Sequence, residues 1–177
     1  MNDRLYTKKE IAGALVCNQE AISARLLRYK IEPDKVVRQQ IKNRRQYHNA
    51  NYSISLYKDT DILLFMLYDK VKSNDTYGCA KVFREQLMET YDHHELLMLI
   101  LSVEMKYIHI IKYTDCIMSI VSDDGMPDSP ESKYVVASST INLTELVRLW
   151  QITLEDIAKN NPIPKDYQHI IRDNANV

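Results

Sequence analysis

The sequence predicts a mainly α protein with one small β element, in two domains of unlike charge. Three observations lead there. The chain has 177 residues, 45% of them apolar, which is enough to bury a core. It has only 3 glycines and 5 prolines, too few positive-φ positions and turn formers for a many-stranded barrel or sandwich. Apolar residues recur at helical spacing along most of the chain, and strand-like alternation is confined chiefly to residues 41–57.

The elements follow in order. Thr7-Lys8-Lys9-Glu10 fits a capping box, in which the Thr hydroxyl accepts a backbone N–H three residues on and the Glu side chain reaches back. Ile11, Ala12 and Leu15 continue a short helical stripe. A break at Val16-Cys17-Asn18 precedes a second helix, capped by Asn18 and running through Ile22 and Leu26 to about Tyr29. Pro33 marks the exit, because the residue before a proline is pushed out of the α region. Residues 41–47 and 52–57 are rich in β-branched and aromatic types and flank His48-Asn49-Ala50-Asn51, which predicts a hairpin. Asp59 or Thr60 is expected to cap a helix over 61–72.

A helix over 80–91 carries Phe83, Leu87 and Tyr91 on one face. Helix is expected over 93–106, whereas 107–122 satisfies helical spacing and also has the β-branched density of one or two strands. Ser122 to Glu131 reads as a loop. Residues 144–160 read as two short helices, and the tail beyond Pro162 and Pro164 as loose.

Two helices joined by a short turn form a helix-turn-helix when their apolar faces meet steeply. Ile11, Ala12, Leu15, Ile22 and Leu26 supply those faces, with Cys17 plugging the turn and Ala12 small at the close approach. Asn18, Gln19, Ser23, Arg25 and Arg28 are left as candidate base-reading residues, since amides, hydroxyls and guanidinium groups suit base edges and phosphates in a major groove.

Helix-turn-helix, hairpin and the run Tyr57-Lys58-Asp59-Thr60-Asp61-Ile62 together resemble the winged helix-turn-helix of MerR and phage-excisionase type proteins over about residues 7–65. Val16 stands where a turn glycine is common in that family. The resemblance implies sequence-specific binding of double-stranded DNA, commonly as a dimer, with a regulatory role in a phage or mobile element. The expected architecture is therefore a winged helix-turn-helix domain over 1–72, followed over 75–177 by a helical or α+β dimerisation domain. The second half carries no resemblance.

Charge placement bears on the partner independently. The formal net charge is −1, but residues 1–74 carry +6 and residues 75–177 carry −7. Much of the basic excess lies between Arg25 and Arg45. Lys30, Lys35, Arg38, Lys42, Arg44 and Arg45 are candidate phosphate contacts, and His48 and Asn49 candidate wing-tip contacts.

Other signals are weaker. Residues 144–157 echo 9–22, which makes a second helix-turn-helix conceivable in an acidic setting. Asp92-His93-His94-Glu95 reads as an acidic helix cap, because adjacent helical side chains diverge by about 100° and do not converge on one ion. Pro127-Asp128 and Glu131-Ser132-Lys133 spell a nuclease motif, but the two carboxylates stand too close in sequence for the strand crossing such nucleases need. No metal, cofactor or catalytic residue is expected, and the protein is read as a non-enzyme.

The apolar run Leu96 to Val103 points to an oligomerisation or partner-binding surface, with a buried core helix as the alternative. Three cysteines without a C-x-x-C pair suit a reducing cytoplasm. No run approaches the roughly 20 apolar residues of a membrane span. The expected function is a dimeric DNA-binding repressor. A DNA-targeting nuclease or recombination factor, and a protein-interaction module that inhibits a host factor without touching DNA, are the alternatives.

Overall fold

The computed structural model describes residues 4–41, 50–73, 80–102, 106–115, 117–122 and 135–160. These residues form a mainly helical protein with two small antiparallel sheets. Two compact units are present, Met1–Ile62 with Ile152–Val177, and Leu63–Gln151. They part within helices, whereas the sequence places its boundary at 73–75.

In the first unit, strand β1 (Tyr6–Thr7) leads into helix α1 (Lys8–Ala14). The capping box is formed: the Glu10 N–H donates to Thr7 Oγ1 at 3.2 Å, and the Thr7 N–H donates to Glu10 Oε2 at 2.8 Å. Helix α2 (Gln19–Arg28) begins at Asn18, whose Oδ1 accepts the Ala21 N–H at 2.6 Å. Between the helices the chain closes with a paired C-terminal motif. The Cys17 N–H reaches the Ala12 carbonyl at 3.0 Å and the Val16 N–H reaches Gly13 at 3.4 Å, with Val16 left-handed at φ 51°. Helix α2 ends the same way. Lys30 adopts φ 55°, and the Ile31 and Lys30 N–H groups donate to Leu26 and Leu27.

Ile11, Ala12, Ile22, Leu26 and Tyr29 are buried, as the helical spacing predicts, while Leu15 is only half-buried. Burying each large apolar side chain of this set contributes about 1.5–3 kcal/mol.

Strands β2 (Lys35–Ile41) and β3 (Ala50–Tyr57) pair antiparallel from Lys35↔Leu56 to Ile41↔Ala50. With β1 they form a sheet of order β1-β3-β2. The hairpin expectation needs correcting at both strands: the first begins at Lys35 rather than 41, and Ala50 and Asn51 belong to β3 rather than to the turn. Val36 and Val37 are adjacent and Arg38, Gln39 and Gln40 separate them from Ile41, so the segment lacks strand alternation and reads as a linker. Residues 42–47 of the expected first strand lie outside the described residues, as do His48 and Asn49.

Helix α3 (Asp59–Ser73) starts earlier than expected. The Asp61 carboxylate accepts the Lys58 N–H at 2.8 Å, so Asp59 and Thr60 sit inside the first turn. Leu63, Leu64, Phe65, Leu67 and Tyr68 are buried consecutively or nearly so, the pattern of a helix covered round most of its circumference.

The second unit adds helices α4 (Ala80–Thr90) and α5 (His93–Leu101). The sequence's acidic cap on α5 is present: Asp92 Oδ1 accepts the Glu95 N–H at 2.8 Å and Glu95 Oε2 accepts the Asp92 N–H at 3.0 Å. Helix α5 stops at Leu101 rather than 106. The open segment 107–122 proves to be strands, β4 (Tyr107–Tyr113) and β5 (Ile117–Ser122). A strand the sequence did not predict, β6 (Val135–Asn142), completes a sheet of order β5-β4-β6 with an irregularity at Lys112/Tyr113. His109 is buried, its Nδ1 3.0 Å from Thr140 Oγ1.

Helix α6 (Leu143–Asn160) is one uninterrupted helix, opened by Asn142, whose Oδ1 accepts the Glu145 N–H at 3.0 Å. The expected pair of short helices, and with it a second helix-turn-helix over 144–157, is excluded. Residues 127–133, which spell the nuclease letters, lie outside the described residues.

Candidate nucleic-acid interface

The capping box fixes where α1 starts, the left-handed Val16 turns the chain, and Asn18 restarts it, so the orientation of α2 is set by backbone chemistry at each of its ends. Its buried stripe is Ile22, Leu26 and Tyr29. At about 100° per residue, the positions opposite that stripe are Glu20, Ala24 and Leu27, and all three are exposed. Leu27 is 83% exposed.

The candidate base-reading residues surround this face unequally. Gln19 and Arg28 are exposed. Asn18 is exposed, but its Oδ1 is committed to the Ala21 N–H, leaving its NH2 group for an external acceptor. Ser23 is half-buried and its hydroxyl donates to the Gln19 carbonyl at 3.0 Å. Arg25 is half-buried and lies nearer the packed side than the outward one. Sequence reasoning missed Glu20, Ala24 and Leu27 because it selected residues by donor and acceptor chemistry. The signal that finds them is the complement of the Ile22, Leu26, Tyr29 stripe.

Among the candidate phosphate contacts, Lys30 is exposed on the left-handed cap of α2. Lys35 and Arg38 lie on β2, with Lys35 half-buried. Lys42, Arg44 and Arg45, like the wing-tip His48 and Asn49, lie outside the described residues.

Acidic groups nearby are partly neutralised. Asp34 forms an ion pair with Lys58 at 2.6 Å, and that hydrogen bond raises the Lys58 ammonium above its ordinary range. Glu10 is paired with Arg4 at 2.9 Å, and the Arg4 guanidinium lies 5.1 Å from the centre of the Tyr6 ring. Glu20 is exposed and faces outward.

No group of three or more His, Cys, Asp or Glu is placed to hold a metal among the described residues. No helix among them is long and apolar enough to cross a membrane. No model of a known protein family matches the chain, and no curated protein is significantly similar to it.

Proposed function

We propose that the chain is a sequence-specific DNA-binding regulator, a repressor acting as a dimer, and that its N-terminal unit works as a winged helix-turn-helix. The observation that carries this reading is the succession of α1, a four-residue turn, α2 and the β2–β3 hairpin, with a polar and basic set of residues on and after α2. In this reading the outward face of α2 enters a major groove. Arg28, Lys30, Lys35 and Arg38 contact phosphates, and the segment joining β2 to β3 reaches a neighbouring groove. The role is one of occupancy rather than catalysis.

Dimerisation is assigned to residues 75–177. Leu96 and Ile100 are core residues of α5, so the apolar run serves its own unit first, but Met98 on the same helix is 59% exposed. A dimer reading two half-sites gains the affinity that a single module lacks.

Selection of bound sequences from a pool of random duplexes by the full chain tests the reading. A recurring half-site that is lost with Gln19→Ala is expected, and unselective binding contradicts it. Light scattering on the eluting protein tests the dimer, since a strict monomer at micromolar concentration removes that part.

A further inference from the structure

The most solvent-facing stripe of α2 is neither basic nor amide. It is Glu20, Ala24 and Leu27, a carboxylate followed by two aliphatic side chains at i+4 and i+7. We infer that this stripe reads pyrimidine edges on one DNA strand, Glu20 accepting from the cytosine N4 amine, and Ala24 and Leu27 packing on thymine C5-methyl groups. The inference rests on the DNA-binding reading above and adds to it the class of base recognised.

Glu20 stands in the first turn of α2, where the helix N-terminus favours a carboxylate and where a recognition helix meets base edges; among phosphates such a group also takes a donor from the duplex. In the major groove an acidic side chain takes that donor from cytosine N4. A leucine that is 83% exposed gains from contact only when an apolar group covers it, and the thymine methyl is the apolar group the major groove offers. Spacing agrees. Glu20 to Leu27 is seven residues, about 10.5 Å along the helix axis at 1.5 Å per residue, or roughly three base steps at 3.4 Å each. Arg28 and Lys30 follow the stripe at its C-terminal end and suit the flanking phosphates.

The test uses the full chain and random duplexes, in one pool made with thymine and one copied with deoxyuridine in its place. Wild type is expected to enrich a cytosine and a thymine within about three base pairs of each other. Its affinity should fall about fourfold for each contacted methyl that deoxyuridine removes, the fold-change equivalent to about 0.8 kcal/mol per buried carbon. Leu27→Ala should lose the thymine preference and the deoxyuridine effect together, and Glu20→Ala the cytosine preference alone. Both side chains are exposed, so the fold is expected to survive, and circular dichroism checks it. Equal affinity of wild type for the two pools, or preferences unchanged in both variants, overturns the pyrimidine assignment while leaving DNA binding intact. Absence of salt-sensitive binding to either pool overturns the DNA-binding reading itself.

Discussion

Val16 offers the sharpest test of the local architecture, because it places a β-branched residue in the left-handed region at φ 51°. Such a conformation costs an L-residue about 1–2 kcal/mol, with β-branched types at the unfavourable end. The side chain is 93% exposed, so removing it forfeits almost no burial. Glycine adopts this φ without penalty but loses roughly 0.5–1 kcal/mol more backbone entropy on folding. The difference predicts that Val16→Gly stabilises the first unit by about 1 kcal/mol. In urea denaturation followed by circular dichroism, an m-value near 2 kcal/mol/M converts this to a midpoint shift of about 0.5 M. Amide exchange in α1 and α2 should slow about fivefold where it reports opening of this unit. Val16→Pro should do the opposite, since proline fixes φ near −65° and lacks the N–H that now reaches Gly13. A Val16→Gly protein no more stable than wild type would refute the left-handed turn and the α2 orientation that depends on it.

Other outcomes follow from the same geometry. Gly13 lies in α1 with open space where a Cβ would stand, so Gly13→Ala should stabilise the unit by roughly 0.5–1 kcal/mol, read by the same urea titration. Thr7→Ala removes the acceptor for the Glu10 N–H and should cost about 1 kcal/mol in that assay. Burial pushes the Tyr68 hydroxyl up to about 12, with the Arg84 charge opposing. Its folded pKa exceeds the unfolded value of 10.0, so between these values the unfolded chain gives up the proton first. Stability from this group is therefore complete below pH 10 and declines as pH rises towards 12, by roughly 2–3 kcal/mol in total. Urea titrations of wild type and Tyr68→Phe across that range should show the decline reduced in the variant.

The parts of the fold legible in the sequence are those fixed by local chemistry. Thr7 with Glu10, Asn18, and Asp92 with Glu95 announce helix starts through side chains that bond to nearby backbone, and each is formed. The stripe Ile22, Leu26 and Tyr29 likewise follows from a 3.6-residue period. Features decided by partners distant in sequence were not legible. Strand β2 sets two adjacent valines among lysine, arginine and glutamine, and only its pairing with β3 makes it a strand. Strand β6 is a run of small polar and β-branched residues that acquires its state from β4. Continuity in α6 has a local cause that an apparent echo of α1–α2 concealed: neither glycine nor proline interrupts Leu143–Asn160. At the candidate interface, Gln19 and Arg28 were singled out by their chemistry, and both are exposed. Glu20, Ala24 and Leu27 needed the burial pattern, because a leucine in a helix is ordinarily counted as core.

The central claim is that the basic excess on and after α2 meets phosphate. Eight Lys and Arg stand between Arg25 and Arg45 beside Glu32 and Asp34, and Asp34 is engaged by Lys58. Fluorescence anisotropy of a labelled random duplex, titrated with the full chain at salt from 50 to 200 mM, reads this directly. Neutralisation of about six phosphates predicts that log K falls against log salt with a slope of roughly −5. No binding at the lowest salt, or binding with a slope near zero, contradicts the account.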